Sequence, residues 1–267
     1  MSKKISIITA TYNSEDYIEK CINSVLNQTY ENIEYIIIDG KSTDKTLDIV
    51  NQYKDKIKII SEEDDGNYDA IKKGFKMVSG EIITWIDSDN FYENEKVIEE
   101  IINNFNNNID LVITNCFYQY EGSKKKHLIN PEEKYFSYNY LLNRGNIFMP
   151  ECVFYKKELY NKSGGLNTDY KLLSDYDLWL NIFKNKPNFI KHNIESATYV
   201  IRNNALLRKN FFKSWEETFK IGREYNRNFF TKIKFYIIFI KSLIVFLLSY
   251  PLKKNGKIRN YIIEKYY

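Results

Sequence analysis

Only two histidines and three cysteines occur among 267 residues, and that scarcity excludes whole classes of chemistry. His127 and His192 cannot furnish an HExxH helix or a histidine-rich zinc site. Cys21, Cys116 and Cys152 lie far apart in no metal-type spacing, and an odd number cannot pair fully within the chain, so a reduced cytoplasmic protein is expected. Neither GxGxxG nor a Walker-type GxxxxGKS/T run is present, which removes the dinucleotide cradle and the P-loop. Met1 to Lys4 followed by Ile5-Ser6-Ile7-Ile8 has a basic front without an adequate apolar stretch or small-residue cleavage site, so no signal peptide is expected. Neither sign of charge dominates: 39 basic against 35 acidic side chains leave a net +4, too mild to call for a nucleic-acid partner.

What is present is globular. Hydrophobic residues at 43% and charged ones at 28% argue against disorder or a fibrous repeat. The length suits one large α/β domain with an appendage, or two small domains. Ile5 to Thr9 is a short β-rich run, and Tyr17, Ile18, Cys21, Ile22, Val25 and Leu26 then recur at helical spacing after a Ser14 cap. Ile33 to Asp39 is nearly continuous apolar, as a strand buried on both faces of a parallel sheet should be. The alternation continues through a helix at Thr43 to Tyr53, a strand at Ile57 to Ser61, a helix at Tyr68 to Val78 and a strand at Glu81 to Asp87. Val97, Ile98, Ile101, Ile102 and Phe105 mark a further helix face, and Leu111 to Tyr118 a further strand. Strand and helix in this alternation predict an open, mostly parallel α/β sheet flanked by helices.

Ligands of such sheets sit outside the carboxyl ends of the strands. Here those ends run into Thr9-Ala10-Thr11-Tyr12-Asn13, Asp39-Gly40-Lys41-Ser42-Thr43-Asp44, Glu62-Glu63-Asp64-Asp65-Gly66 and Asp87-Ser88-Asp89. Acidic groups gathered at one edge repel unless a cation or hydrogen-bond donors offset them, and a divalent metal is the natural candidate. Asp44 reads equally well as a helix cap. In Asp87-Ser88-Asp89, two carboxylates one residue apart after a buried strand can face one hard cation and leave positions open for phosphate oxygens.

These segments resemble family 2 glycosyltransferases of the nucleotide-sugar-binding GT-A fold. The resemblance is carried by Ser6 to Asn13, Cys21 to Tyr30, Glu34 to Thr46, Asp65-Gly66-Asn67-Tyr68-Asp69-Ala70, Gly80-Glu81-Ile82-Ile83 and Asp87-Ser88-Asp89, all in order. It covers roughly residues 3 to 205 and is strongest up to residue 90. It implies Thr9 and Tyr12 at the nucleoside, Asp39 accepting a hydrogen bond from the base, Asp65 closing that pocket, Asp87 facing ribose and metal, and Asp89 binding Mn²⁺ or Mg²⁺. Lys72 stands where relatives often have Asn, and reads either as a diphosphate contact or as a solvated helix lysine.

The second half of the resemblance runs through Phe154 to Lys157, Gly164-Gly165-Leu166-Asn167 and Leu173 to Leu180. It implies a catalytic base near the start of a helix, deprotonating the acceptor hydroxyl for inverting attack on the anomeric carbon. Asp175 matches that position, with Ser174 replacing the Glu many relatives carry. Asp177 is its competitor, and at helical spacing the two point about 200° apart, so one of them faces the cleft. Two departures accompany this half: Asn181 stands where relatives commonly have Arg, and Asn204 where many have a metal-binding His. The absence of a QxxRW motif points away from a processive synthase and toward single addition.

Past residue 205 the resemblance lapses. Phe235 to Tyr250 is the most apolar run, with 16 residues against about 20 for a comfortable membrane span. Lys234 and Lys241 share nearly one helix face, and Lys253, Lys254, Lys257 and Arg259 follow. Three placements fit: a helix in the membrane interface with basic flanks on anionic headgroups, a hairpin packed on the domain, and a marginal span burdened by Lys241.

The organisation expected is therefore a glycosyltransferase domain over 1–205, nucleotide-binding in 1–90 and acceptor-binding and catalytic in 91–205, with a helical, membrane-associating extension over 206–267. The activity implied is metal-dependent, inverting transfer of one sugar from a nucleoside diphosphate sugar, UDP being the expected nucleotide. The acceptor implied is a saccharide or lipid-linked saccharide of surface-glycan synthesis at the inner face of a cytoplasmic membrane, with contact to that surface through residues 233–260. A sugar nucleotidyltransferase would carry a Gly-rich basic loop after its first strand, which Thr9 to Ser14 lacks; a nucleotide-sugar-binding pseudoenzyme is the other alternative.

Overall fold

A computed structural model describes residues 2–106, 108–202 and 206–249. The chain divides into two compact units, Met1–Phe211 and Phe212–Tyr267. The first opens with β1 (Ile5–Thr11), α1 (Ile18–Leu26), β2 (Ile33–Asp39), α2 (Thr46–Asn51), β3 (Lys58–Ser61), α3 (Asn67–Phe75) and β4 (Ile82–Trp85). It continues through β5 (Phe91–Tyr92), α4 (Val97–Ile102), β6 (Leu111–Tyr120), β7 (Lys126–Ile129), α5 (Tyr138–Arg144), β8 (Val153–Lys156), α6 (Lys157–Lys162), α7 (Ser174–Lys184), β9 (Phe189–Ile201) and α8 (Leu206–Lys209).

One sheet runs β3-β2-β1-β4-β8-β6-β9-β5, with β7 paired to β6. The first four strands are parallel, as the continuous apolar runs of β1 and β2 predict. Beyond β4 the pairing is mixed: β8 is antiparallel to both β4 and β6, whereas β9 is parallel to β6. The chain lays β2 and β3 on one side of β1 and β4 on the other, so the strand order reverses at β1 and opens a crevice at the carboxyl ends of β1 and β4.

Both faces of the sheet are covered. On one, Ile18, Cys21, Ile22 and Val25 of α1 join Val50 of α2 and Ile98 and Ile101 of α4 against Ile5, Ile7 and Ile37. On the other the packing is aromatic: Trp85 stacks on Trp179 of α7 at 5.5 Å, and Phe75 of α3 meets Trp85 edge-on at 5.8 Å. Gly74 is required where α3 crosses β1, since a Cβ there would stand 2.7 Å from Ile8 Cγ2. The helix expected at Thr43 to Tyr53 begins only at Thr46, because Asp44 Oδ1 accepts from the Thr46 N–H at 2.9 Å and caps it.

The second unit is a helical hairpin of α9 (Phe211–Glu224) and α10 (Phe229–Ser249). Trp215 meets Phe239 at 5.4 Å, Phe219 stacks on Tyr236 at 4.5 Å, and the Arg227 guanidinium lies 3.7 Å from the centre of the Phe235 ring. No helix among the described residues is long and apolar enough to cross a membrane. The basic residues Lys253, Lys254, Lys257 and Arg259 lie outside the described residues.

Candidate functional site

The crevice is floored by the turn after β4. Asp87, Ser88 and Asp89 leave the sheet there, and Ser88 Oγ meets Ser14 Oγ at 3.0 Å, tying that turn to the loop after β1. Burial pushes the Asp87 carboxyl up to about 7, Asp89 adds repulsion, and an Asn67 Nδ2 donor at 3.3 Å opposes the rise. Asp89 is also raised by burial, against the pull of Arg202, whose Nε donates to its Oδ2 at 2.8 Å. Arg202 lies just past the end of β9, with its guanidinium 4.9 Å from the centre of the Tyr17 ring, and Tyr17 in turn donates to Glu121.

Across the crevice stands Asp175, the second residue of α7 and only 8% exposed. Asn146 Nδ2 donates to it at 2.8 Å and the Tyr68 hydroxyl donates to it as well. Burial nonetheless lifts its carboxyl to about 6, and its charge is felt at Asp87. Asp177 is buried too, but accepts from Asn181 Nδ2 one turn along the same helix, at 3.4 Å.

The rim beside β1 and β2 is a set of short loops. Tyr12 is 59% exposed on the rim, followed by Asn13 in the left-handed region at φ 48°, where its Oδ1 accepts from the Thr43 N–H at 2.8 Å. Lys72 sits half-buried on α3, and its ammonium makes no hydrogen bond or ion pair among the described residues.

Three further implied positions are held by partners within the protein. Thr9 lies inside β1, wholly buried, with its hydroxyl donating to the Ile86 carbonyl at 2.9 Å, and so joins β1 to the segment after β4. Asp39 is also wholly buried, its Oδ1 taken by the Ser42 hydroxyl at 2.5 Å and its Oδ2 by Ser61 at 2.7 Å, which makes it the anchor beneath the loop. Asp65 is exposed and contributes its N–H to Asp69. The carboxylate that closes on β2 is its neighbour Asp64, which leaves no room for a side chain at Gly40: a Cβ there would lie 2.4 Å from Asp64 Oδ2. Adjacent acidic residues look alike in a sequence, and only the turn, with Gly66 at φ 106° and its N–H on Asp64 Oδ1 at 2.8 Å, selects one.

Arg202, Asn146 and Asn90 carry no sequence signal of their own, because each acts through a partner distant in the chain. Asn67 and Tyr68 do lie in a recognisable run, Asp65-Gly66-Asn67-Tyr68, and their contacts to Asp87 and Asp175 give that run its geometry. Asn204 lies outside the described residues.

A parallel sheet whose order reverses beside a paired-carboxylate turn, with a mixed half carrying a third buried carboxyl, is the GT-A architecture. Residues 6–164 match Glycosyl transferase family 2, and the chain belongs to that family. An uncharacterized glycosyltransferase of Haemophilus influenzae is 33% identical over 225 residues, which cover 81% of this chain and 86% of that protein. An uncharacterized glycosyltransferase of Rickettsia typhi is 30% identical over 207 residues, covering 72% of this chain; the match spans 63% of the Rickettsia protein's own length. Among solved structures, TarS of S. aureus superposes with a TM-score of 0.61 at 18% identity, over 80% of this chain and 64% of that one. A mannosyltransferase of Pyrobaculum calidifontis, solved in complex with GDP-Man and Mn²⁺, superposes with a TM-score of 0.63 at 18% identity, over 85% of this chain and 65% of that one. At such identities the likeness is one of fold.

Proposed function

We propose that this glycosyltransferase moves a single sugar from a nucleoside diphosphate sugar, UDP being the expected nucleotide, to a saccharide or lipid-linked saccharide with inversion at the anomeric carbon. The observation that supports the reading is a buried Asp175 carboxyl near enough for its charge to raise that of Asp87, with Asn67 donating to Asp87 and its neighbour Tyr68 to Asp175. Structural relatives solved with UDP, and with GDP-Man and Mn²⁺, support a nucleotide-sugar donor.

The donor set fits a hard divalent cation: two mostly buried carboxylates that repel each other offer oxygen ligands and lack full compensation. Among the described residues no cluster of three His, Cys, Asp or Glu side chains could hold a metal ion, so Asp87 and Asp89 would hold Mn²⁺ or Mg²⁺ together with diphosphate oxygens. Bound there, the ion would neutralise charge developing on the leaving diphosphate. Tyr12 offers its exposed ring to the base, Lys72 its ammonium to the phosphates, and Asp175 takes the proton of the attacking hydroxyl. The experiment is a thermal-shift screen of UDP- and GDP-sugars with Mn²⁺. A donor at 100 times its dissociation constant adds about 2.7 kcal/mol, raising the melting temperature by roughly 5 to 10 °C; no shift with any nucleotide sugar would refute the donor site.

We place the enzyme at the inner face of the cytoplasmic membrane, docked through α10. Phe230, Ile233, Ile237, Ile240, Ile244 and Leu247 recur every three or four residues on one stripe, each between 43% and 82% exposed. At about 100° per residue, Lys234 and Lys241 fall to one side of that stripe and Lys232 to the other, where long side chains reach headgroups while the stripe sits among acyl chains. Full-length protein is expected to co-sediment with vesicles containing anionic lipid, less so at salt on the order of 0.5 M. Ile237→Glu combined with Ile244→Glu should weaken that binding by roughly tenfold or more. A double variant that sediments like wild type would remove α10 from the contact.

A further inference from the structure

The turn that carries Asp87 and Asp89 rests on a buried clamp. Asn90, 1% exposed, closes the turn by donating its N–H to the Asp87 carbonyl at 2.9 Å. Its side chain works in two directions: Nδ2 donates to Glu151 Oε1 at 3.1 Å, and Oδ1 accepts from the Val200 N–H at 2.8 Å. Val200 stands two residues before Arg202, which returns to the turn through Asp89 at 2.8 Å. Turn, β9 and Arg202 thus form a closed circuit, and Glu151 is joined to it through Asn90.

Glu151 is delivered by a single 3-10 turn, Pro150–Cys152, just ahead of β8. It is wholly buried, and its Oε2 finds no hydrogen-bond partner among the described residues. A buried carboxyl with half its bonding capacity unused is costly, and such costs are retained where a site needs the group. Burial first, then Cys152 and Asp87, hold its pKa well above the usual carboxylate range.

We propose that Glu151 is a positioning residue of the donor site: through Asn90 it fixes the Asp87 to Asn90 turn against the end of β9, and thereby sets where Asp89 and Arg202 meet. The inference rests on the donor-site reading above. Its test uses full-length wild type, Glu151→Leu, Glu151→Gln, Asn90→Ala and the Glu151→Leu/Asn90→Ala double variant, each titrated calorimetrically with UDP and with GDP in the presence of Mn²⁺, with melting temperatures recorded alongside. Glu151→Leu should weaken nucleotide binding by about tenfold, the scale of one buried hydrogen bond. Glu151→Gln, which keeps an acceptor for Asn90, should restore it to within about threefold. Asn90→Ala should reproduce the leucine effect from the other end of the clamp, and the double variant should be no worse than either single one. A lower melting temperature with unchanged affinity in Glu151→Leu would reduce the residue to a structural role and overturn the proposal, as would Glu151→Gln binding as weakly as Glu151→Leu. Should Glu151→Leu fail to fold, Asn90→Ala and Glu151→Gln decide it: wild-type affinity in the first, or tenfold loss in the second, is fatal. Wild type that binds neither nucleotide defeats the donor-site reading and this one together, whereas binding wild type with unaffected variants defeats this one alone.

Discussion

Asp89→Ala is expected to keep its fold and lose at least a hundredfold in transfer, together with the part of nucleotide binding that depends on Mn²⁺. The fold is expected to survive because Asp89 makes one ion pair, to an Arg202 that keeps partial access to water, and removing a buried carboxylate also removes its desolvation cost. The large loss arises because the remaining carboxyl, Asp87, is held up at about 7 by burial and its neighbour and cannot alone gather a cation onto a diphosphate. The measurement is UDP affinity with and without Mn²⁺, read next to the melting temperature. Metal-dependent binding at wild-type strength in the variant would move the metal elsewhere.

The second large effect separates chemistry from binding. Asp175→Asn should bind donor as wild type does and transfer about 10² to 10⁴ times more slowly, the usual scale for a lost general base. Because burial raises the Asp175 carboxyl to about 6, the base is fully ionised only above that value. Wild-type transfer at saturating donor should therefore fall as pH drops through about 6, and the asparagine variant should lack that limb. Asp177→Asn is the control: its carboxylate is engaged with Asn181 on its own helix. If that variant, and not Asp175→Asn, shows the slow, donor-competent behaviour, the base is Asp177.

How much of this was legible beforehand follows from the range of the forces involved. The parallel strands β1 to β4 and their helices announce themselves because each apolar run is continuous and local. Strands β5, β7 and β8 have two, four and four residues, too few to show a period, and the antiparallel pairing of β5 and β8 is set by partners far off in the chain. The same holds within the site. Asp87-Ser88-Asp89 and Asp175 are readable as local runs after a strand and at a helix start, whereas the hydrogen-bond partners of Thr9 and Asp39 are not. Which way their polar atoms turn depends on Ile86, Ser42 and Ser61. Arg202 is the clearest case of a long-range partner: 113 residues separate it from Asp89, and nothing in its own neighbourhood marks it.

That ion pair has a thermodynamic consequence for loading. Asp89 holds a guanidinium at 2.8 Å, so at the proposed site ion alone and nucleotide alone would each meet a carboxylate that is partly neutralised. If Asp89 serves a cation as proposed, Arg202 would be freed to offer its positive charge to a diphosphate. Each ligand would then improve the site for the other, and by linkage the gain would be the same in both directions. Saturation with Mn²⁺ should sharpen UDP affinity by the factor with which UDP sharpens that for Mn²⁺, and Arg202→Gln should shrink both factors together.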